Sequence, residues 1–185
     1  MSTRVIAGSA KGHRLELVPG DSTRPITDKV KESLFNIINQ NILNASFLDL
    51  FAGTGAVGIE ALSRGADYAF FNEKNRLALK TINNNLSNTK LKHKADIQSS
   101  DAFDLLKGKP SRDFNYIYVA PPQYEGIWLE IMTTLDNNPA WLTPETIVIV
   151  QIDPKEHEEV LFQNMRDYDQ RQYGNTLLWF FETLN

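Results

Sequence analysis

Cysteine is absent from the 185 residues, which excludes disulfides, thiolate-ligated zinc, iron–sulfur clusters and covalent catalysis through a thiolate. Histidine is scarce: His13, His93 and His157 stand apart, without the His-x-x-x-His spacing of a metal site. No metal is expected, and a packing or surface role fits each histidine. Long apolar runs are missing too, since none approaches the roughly 20 residues a membrane-spanning helix needs. Residues 1–12 lack the apolar stretch of a secretory signal, so a cytoplasmic protein with no membrane partner is expected. Excess positive charge is lacking as well. Nineteen Lys and Arg against 23 Asp and Glu leave a net charge of −4, so a nucleic-acid partner must be held by a local patch. What is present is globular: 42% hydrophobic and 23% charged residues argue against disorder or collagen. The length suits one domain of roughly 100–200 residues.

Along the chain, Arg4–Ile6 and His13–Leu17 read as two short strands joined by a turn at Gly8, Lys11 and Gly12. Thr27 or Asp28 can N-cap a helix whose apolar positions Val30, Leu34, Ile37 and Ile38 recur at helical spacing. An alternation follows: strand Ser46–Leu50, helix Ala56–Arg64 ended by Gly65, strand Tyr68–Asn72, helix Arg76–Leu86, and a weak strand Ala95–Gln98. A short helix after Asp101, strand Phe114–Val119, helix Ile127–Leu135 and strand Thr146–Ile152 complete it. Arg166–Tyr173 and Thr176–Glu182 flank Gly174-Asn175 as a terminal hairpin, so the last strands are expected to be antiparallel. Strand–helix alternation predicts a mostly parallel α/β sheet. One domain, 1–185, is expected, with a hairpin and helix (1–42) appended to a core (43–185).

Phe47-Leu48-Asp49-Leu50-Phe51-Ala52-Gly53-Thr54-Gly55-Ala56-Val57-Gly58 follows a strand and opens a helix, the context of a nucleotide-binding turn. Gly53, Gly55 and Gly58 satisfy G-x-G-x-x-G, so a dinucleotide reading has to be weighed. Asp49 tells against it: a carboxylate at the strand end repels a pyrophosphate but suits a ligand carrying an ammonium and a sulfonium. S-adenosylmethionine has both. Glu73, ending the next strand, can accept from ribose hydroxyls, a device that NAD sites share. Asp101, followed by Ala102, is placed to meet an adenine amino group.

Val119-Ala120-Pro121-Pro122-Gln123-Tyr124 comes after the fourth strand. Consecutive prolines hold the chain extended and expose carbonyls. This resembles the (Asp/Asn/Ser)-Pro-Pro-(Tyr/Phe) motif of amino-group methyltransferases. An exocyclic amine on a base is a poor nucleophile, because its lone pair is delocalised into the ring. Acceptors for its hydrogens turn that pair toward a methyl donor, and an aromatic ring stacks on the extruded base.

Four stretches extend the likeness: Arg4–Gly8 with Lys11-Gly12, Thr23–Asn36, Leu48–Gly65, and Tyr173-Gly174-Asn175-Thr176. With them the chain resembles the bacterial small-subunit rRNA guanine-N2-methyltransferase family, the RsmD type. The resemblance implies a class I methyltransferase fold, Rossmann-like, with seven strands and an antiparallel C-terminal hairpin. It implies S-adenosylmethionine as donor and rRNA within a small ribosomal subunit or its assembly intermediate as partner, and a monomer is expected. The cofactor site maps onto Asp49, Phe51, Ala52, Gly53, Thr54, Gly55 and Gly58, with Glu73, Lys74, Asp101 and Ala102. The catalytic loop maps onto Ala120, Pro121, Pro122, Gln123 and Tyr124. Here the chain departs from the family: Ala120 replaces the usual Asp or Asn, and Gln123 displaces the aromatic by one. Backbone carbonyls of Ala120 and Pro121, or the Gln123 amide oxygen, are the substitute acceptors.

Arg4, Lys11, Arg14, Arg24, Lys29 and Lys31 against Glu16, Asp21 and Asp28 leave three net positive charges in the first 31 residues. They are the candidate RNA contacts, and the resemblance adds Asn36. Tyr173 and Asn175 read either as turn chemistry or as pocket rim. Tyr124 is the stacking candidate; it forms one wall with Trp128 if the helix starts early, although Trp128, Trp141 and Trp179 read as core. The alternatives are a catalytically lapsed RNA-binding assembly factor, which Ala120 favours, an NAD-dependent oxidoreductase, and an amino-group methyltransferase acting on protein glutamine or DNA adenine.

Overall fold

The strand–helix alternation is present in the computed structural model, which describes residues 3–20 and 26–184 and divides into two units, Met1–Ser100 and Asp101–Asn185. In the first unit, β1 (Thr3–Arg4) and β2 (Arg14–Leu15) form an antiparallel hairpin, with Thr3 opposite Leu15. These strands are shorter than the sequence suggested. The Ile6 and Ala7 N–H groups leave the ladder and donate to the Glu60 carboxylate at 2.8 and 3.0 Å. Helix α1 (Asp28–Ile38) is N-capped by Thr27, whose side chain accepts from Val30 N, and it buries Val30, Leu34, Phe35 and Ile38.

Strand β3 (Ser46–Asp49), helix α2 (Ala56–Ser63), strand β4 (Tyr68–Asn72), helix α3 (Arg76–Asn88) and strand β5 (Ala95–Gln98) follow. The strands lie parallel in the order β5-β4-β3, with Ser46 opposite Tyr68 and Ala69 opposite Ala95. Parallel neighbours need a crossover, which α2 and α3 supply. All eight residues of α2 are buried. β5 is an edge strand that alternates half-buried and exposed positions, hence its weak sequence signal.

In the second unit, α4 (Ala102–Lys107) precedes β6 (Tyr116–Val119), α5 (Ile127–Asp136) and β7 (Ile147–Ile152), then β8 (Met165–Tyr173) and β9 (Thr176–Thr183). β6 and β7 are parallel, β9 runs antiparallel to β7, and β8 pairs antiparallel with β9. Trp128 packs on Trp179 with ring centroids 5.7 Å apart, and Trp141 stacks on Phe114 at 6.1 Å. All three tryptophans are core, as the sequence indicated. Among the described residues, three strands of the first unit and four of the second make up the seven beyond the hairpin.

Candidate functional site

Gly55 is the N-cap of α2 and has no side chain to cap with. Asp49, at the end of β3, does so instead: its Oδ2 accepts from Gly58 N at 3.1 Å. The side chain expected to face a ligand is therefore only 2% exposed. Burial pushes its pKa up to about 7; the nearby Glu73 carboxylate adds to the rise and the Gly58 N–H opposes it. Glu73 pins the turn from the end of β4. Its Oε2 accepts from Gly53 N at 2.9 Å and its Oε1 from Lys74 N and Asn75 N at 2.9 and 2.8 Å.

The three glycines serve different needs. Gly53 and Gly55 have φ of 54 and 77°, the left-handed region, and a Cβ on Gly53 would meet nothing within 4 Å. A Cβ on Gly58 would lie 2.4 Å from Phe71 Cε1, so this glycine lets α2 approach β4. Ala52 N bonds Asn72 O, and Asn85 Nδ2 donates to Thr54 O, tying the turn to β4 and α3. Phe51 and Thr54 are half-buried and Lys74 is exposed.

This chemistry tests the two ligand classes. The Gly53 N–H already serves a carboxylate, and Asp49 and Glu73 repel each other across the turn. A pyrophosphate would add negative charge to that pair, whereas an ammonium and a sulfonium relieve it. The residues fit S-adenosylmethionine and do not fit a dinucleotide.

In the second unit, Asp101 N-caps α4, its side chain accepting from Phe103 N at 2.9 Å, and Ala102 is buried. Beyond β6, Ala120 is half-buried, Pro121 buried, and Pro122 and Gln123 exposed. Tyr124 is 64% exposed with φ 65°. Its N–H donates to Glu156 Oε1 at 2.8 Å and its hydroxyl to Asp153 Oδ2 at 2.6 Å. The Tyr124–Trp128 wall does not form. Gly126 starts α5 at Ile127, and Trp128, 2% exposed, belongs to the core. Asp153 and Glu156 went unnoticed in the sequence, although Asp153-Pro154 directly after a strand is a capping signal.

Of the candidate RNA contacts, Arg4, Lys11, Arg14, Lys29 and Asn36 are exposed, and Arg4 pairs with Asp28 at 3.2 Å. Arg24 lies outside the described residues. Lys31 has to be withdrawn from the patch. Its side chain is wholly buried; Nζ donates to Arg4 O at 2.6 Å and lies 3.5 Å from Glu60 Oε2. Burial pulls its pKa below the usual lysine range against the pull of Glu60. The helical stripe of Val30, Leu34 and Ile38 carries the neighbouring position 31 into the interior. Glu60 also bonds Arg64 Nε at 2.7 Å, so one buried carboxylate ties the hairpin, α1 and α2 together. Tyr173 and Asn175 flank the Gly174 turn of the β8–β9 hairpin, where Gly174 has φ 60°.

The fold and the glycine turn define the class: a class I S-adenosylmethionine-dependent methyltransferase fold. A family model described as conserved hypothetical protein 95 matches residues 3–182. The YlbH protein of Bacillus subtilis is 42% identical, covering 72% of this chain and 73% of its own. Ribosomal RNA small subunit methyltransferase D of Escherichia coli is 37% identical, covering 80% and 73%. The solved structure of Escherichia coli yhhF is 30% identical and superimposes with a TM-score of 0.86, covering 99% and 98%. The chain belongs to this family, the RsmD type.

Proposed function

We propose that this chain transfers a methyl group from S-adenosylmethionine to the exocyclic N2 of a guanine in small-subunit rRNA. The observation that carries the reading is the Pro121-Pro122 loop directly after β6, with the Tyr124 ring exposed beside it in an RsmD-type chain. When bound, S-adenosylmethionine supplies an electrophilic methyl group on a sulfonium. Asp49 and Glu73 bring negative charge toward that cationic ligand, and the glycine turn leaves it room. The carbonyls of Ala120 and Pro121, or the Gln123 amide, accept hydrogen bonds from the guanine amine and turn its lone pair outward. Tyr124 stacks on the base. With that methyl supplied, the surplus N2 proton would leave to water, so no strong base would be required of the chain. The working partner in this reading is the small subunit or an assembly intermediate, met by a monomer in the cytoplasm. Arg4, Lys11, Arg14, Arg24, Lys29 and Asn36 hold its backbone.

Ala120 favours a second reading, a lapsed catalyst that binds S-adenosylmethionine and RNA without turnover. Losing one preorganised hydrogen-bonding group typically lowers a rate by about 10²–10³. The test is methyl transfer from labelled S-adenosylmethionine to small subunits from a strain lacking this protein, with nucleoside analysis and an Ala120→Asp variant alongside. N2-methylguanosine from the wild type supports the enzyme. Cofactor binding without product, with activity gained by Ala120→Asp, supports the lapsed catalyst. Absence of cofactor binding overturns both.

A further inference from the structure

We propose that Asp153 and Glu156 are positioning residues that hold Tyr124 for the target base; the inference rests on the reading of the Pro-Pro loop given above. Gln123 displaces the aromatic by one residue, and in an extended segment such a shift turns a side chain to the opposite face. Tyr124 does not continue the extended chain. It adopts φ 65°, a region that bulky residues rarely enter and that persists only when the surroundings hold it. Two bonds do so, one at each end of the residue: Glu156 Oε1 takes its N–H and Asp153 Oδ2 its hydroxyl.

Asp153 is fixed independently of the loop. Asp153 is 4% exposed and N-caps the short 3-10 turn Pro154–Glu156, its Oδ1 accepting from Lys155 N at 2.9 Å. Glu156 Oε2 is buried with no hydrogen-bond partner among the described residues. An acceptor left in that state is unfavourable, so local stability does not account for a glutamate here; contact with the loop does. Tyr124 between them is neither packed in a core nor loose on a surface. The residue is 64% exposed while its hydroxyl and its backbone are both held. A ring tethered at both ends with an open face is a stacking platform whose orientational freedom has been removed before substrate arrives.

The test is a coupling experiment with small subunits and S-adenosylmethionine. Tyr124→Phe keeps the ring and removes the hydroxyl tether. Asp153→Ser keeps an N-cap for Lys155 and is too short to reach Tyr124. Each single variant is expected to lower kcat/KM for the subunit roughly tenfold, the scale of one base–aromatic stacking contact. The KM for S-adenosylmethionine should stay unchanged, and the double variant should have a kcat/KM no worse than either single. Glu156→Ala should behave alike, and Glu156→Gln, which keeps an acceptor, should restore activity. Full activity in Tyr124→Phe and Asp153→Ser, or losses that add in the double variant, overturns the proposal. The Kd for the subunit is measured in parallel because stacking contributes to binding without chemistry. Coupling in Kd with no N2-methylguanosine from the wild type upholds the positioning role while the reaction reading fails. Absence of coupling in both readouts rejects the positioning role whatever the product.

Discussion

Asp49 ends one buried strand and Asp153 directly follows another, at 2% and 4% exposure, yet their carboxyls are driven in opposite directions. Asp49 has one N–H donor, Gly58, and a repelling neighbour, Glu73, so burial dominates and its pKa rises to about 7. Asp153 receives the Tyr124 hydroxyl and the Lys155 N–H, and those bonds hold its pKa below the usual carboxylate range. Different causes lead at the two sites: desolvation at Asp49, and donated hydrogen bonds, which outweigh burial, at Asp153. Among the described residues Asp49 is an acid with no cation beside it, and Asp153 an acid already satisfied by its own chain.

The largest expected effect separates them on ligand binding. Asp49→Asn should weaken S-adenosylmethionine by about 100-fold in calorimetry, the scale of a charge-assisted contact, and Asp153→Ser should leave that affinity alone. Wild-type affinity should tighten as pH rises through about 7, where Asp49 ionises, and the Asp49→Asn affinity should not.

Folding stability should show the opposite preference at Asp49. A folded pKa of about 7 against 3.8 means the contribution of protonated Asp49 is complete below pH 3.8 and lost as pH rises through 7. Asn keeps an acceptor for Gly58 and carries no charge. At pH 8, urea titration should find the ligand-free variant more stable than wild type by on the order of 3 kcal/mol. For Asp153 the sign reverses: its depressed pKa stabilises above pH 3.8, so the penalty of Asp153→Ser should shrink on acidification through and below that range. Equal pH slopes in the two variants would break the comparison.

Smaller effects sharpen it. Lys31→Met should destabilise by about 2–4 kcal/mol, because Arg4 O and Glu60 lose a buried partner, with no change in the salt dependence of RNA binding. Gly58→Ala should be destabilising by about 1–3 kcal/mol, as the Phe71 ring must move from a Cβ at 2.4 Å. Lys11→Ala, smallest of all, should leave stability unchanged and reduce the magnitude of the salt slope by somewhat less than about 1, one phosphate contact.

Much of this molecule is readable as text. Strand β4 begins and ends where aromatic and turn residues place it, strand β5 keeps the expected bounds despite its weak signal, and the terminal hairpin follows from Gly174-Asn175. The glycine turn was readable because its chemistry is local: a strand, a left-handed bend and a helix start within twelve residues. Lys31 was misread because a lysine beside an apolar stripe looks solvated until helix packing shows which side of the stripe is covered. Glu60 gave no signal, since its partners Ile6 and Ala7 lie more than fifty residues away.

Sequence by itself determined the element order, the identity of the glycine turn, the Pro-Pro loop and the family, because each is written in neighbouring residues. Tertiary structure alone decided that Asp49 is buried beside a second carboxylate, that Lys31 is internal, and that Tyr124 is held by Asp153 and Glu156. Those are properties of burial and of partners distant in the chain. A local pattern holds neither the desolvation that shifts a carboxyl nor the donor that offsets it.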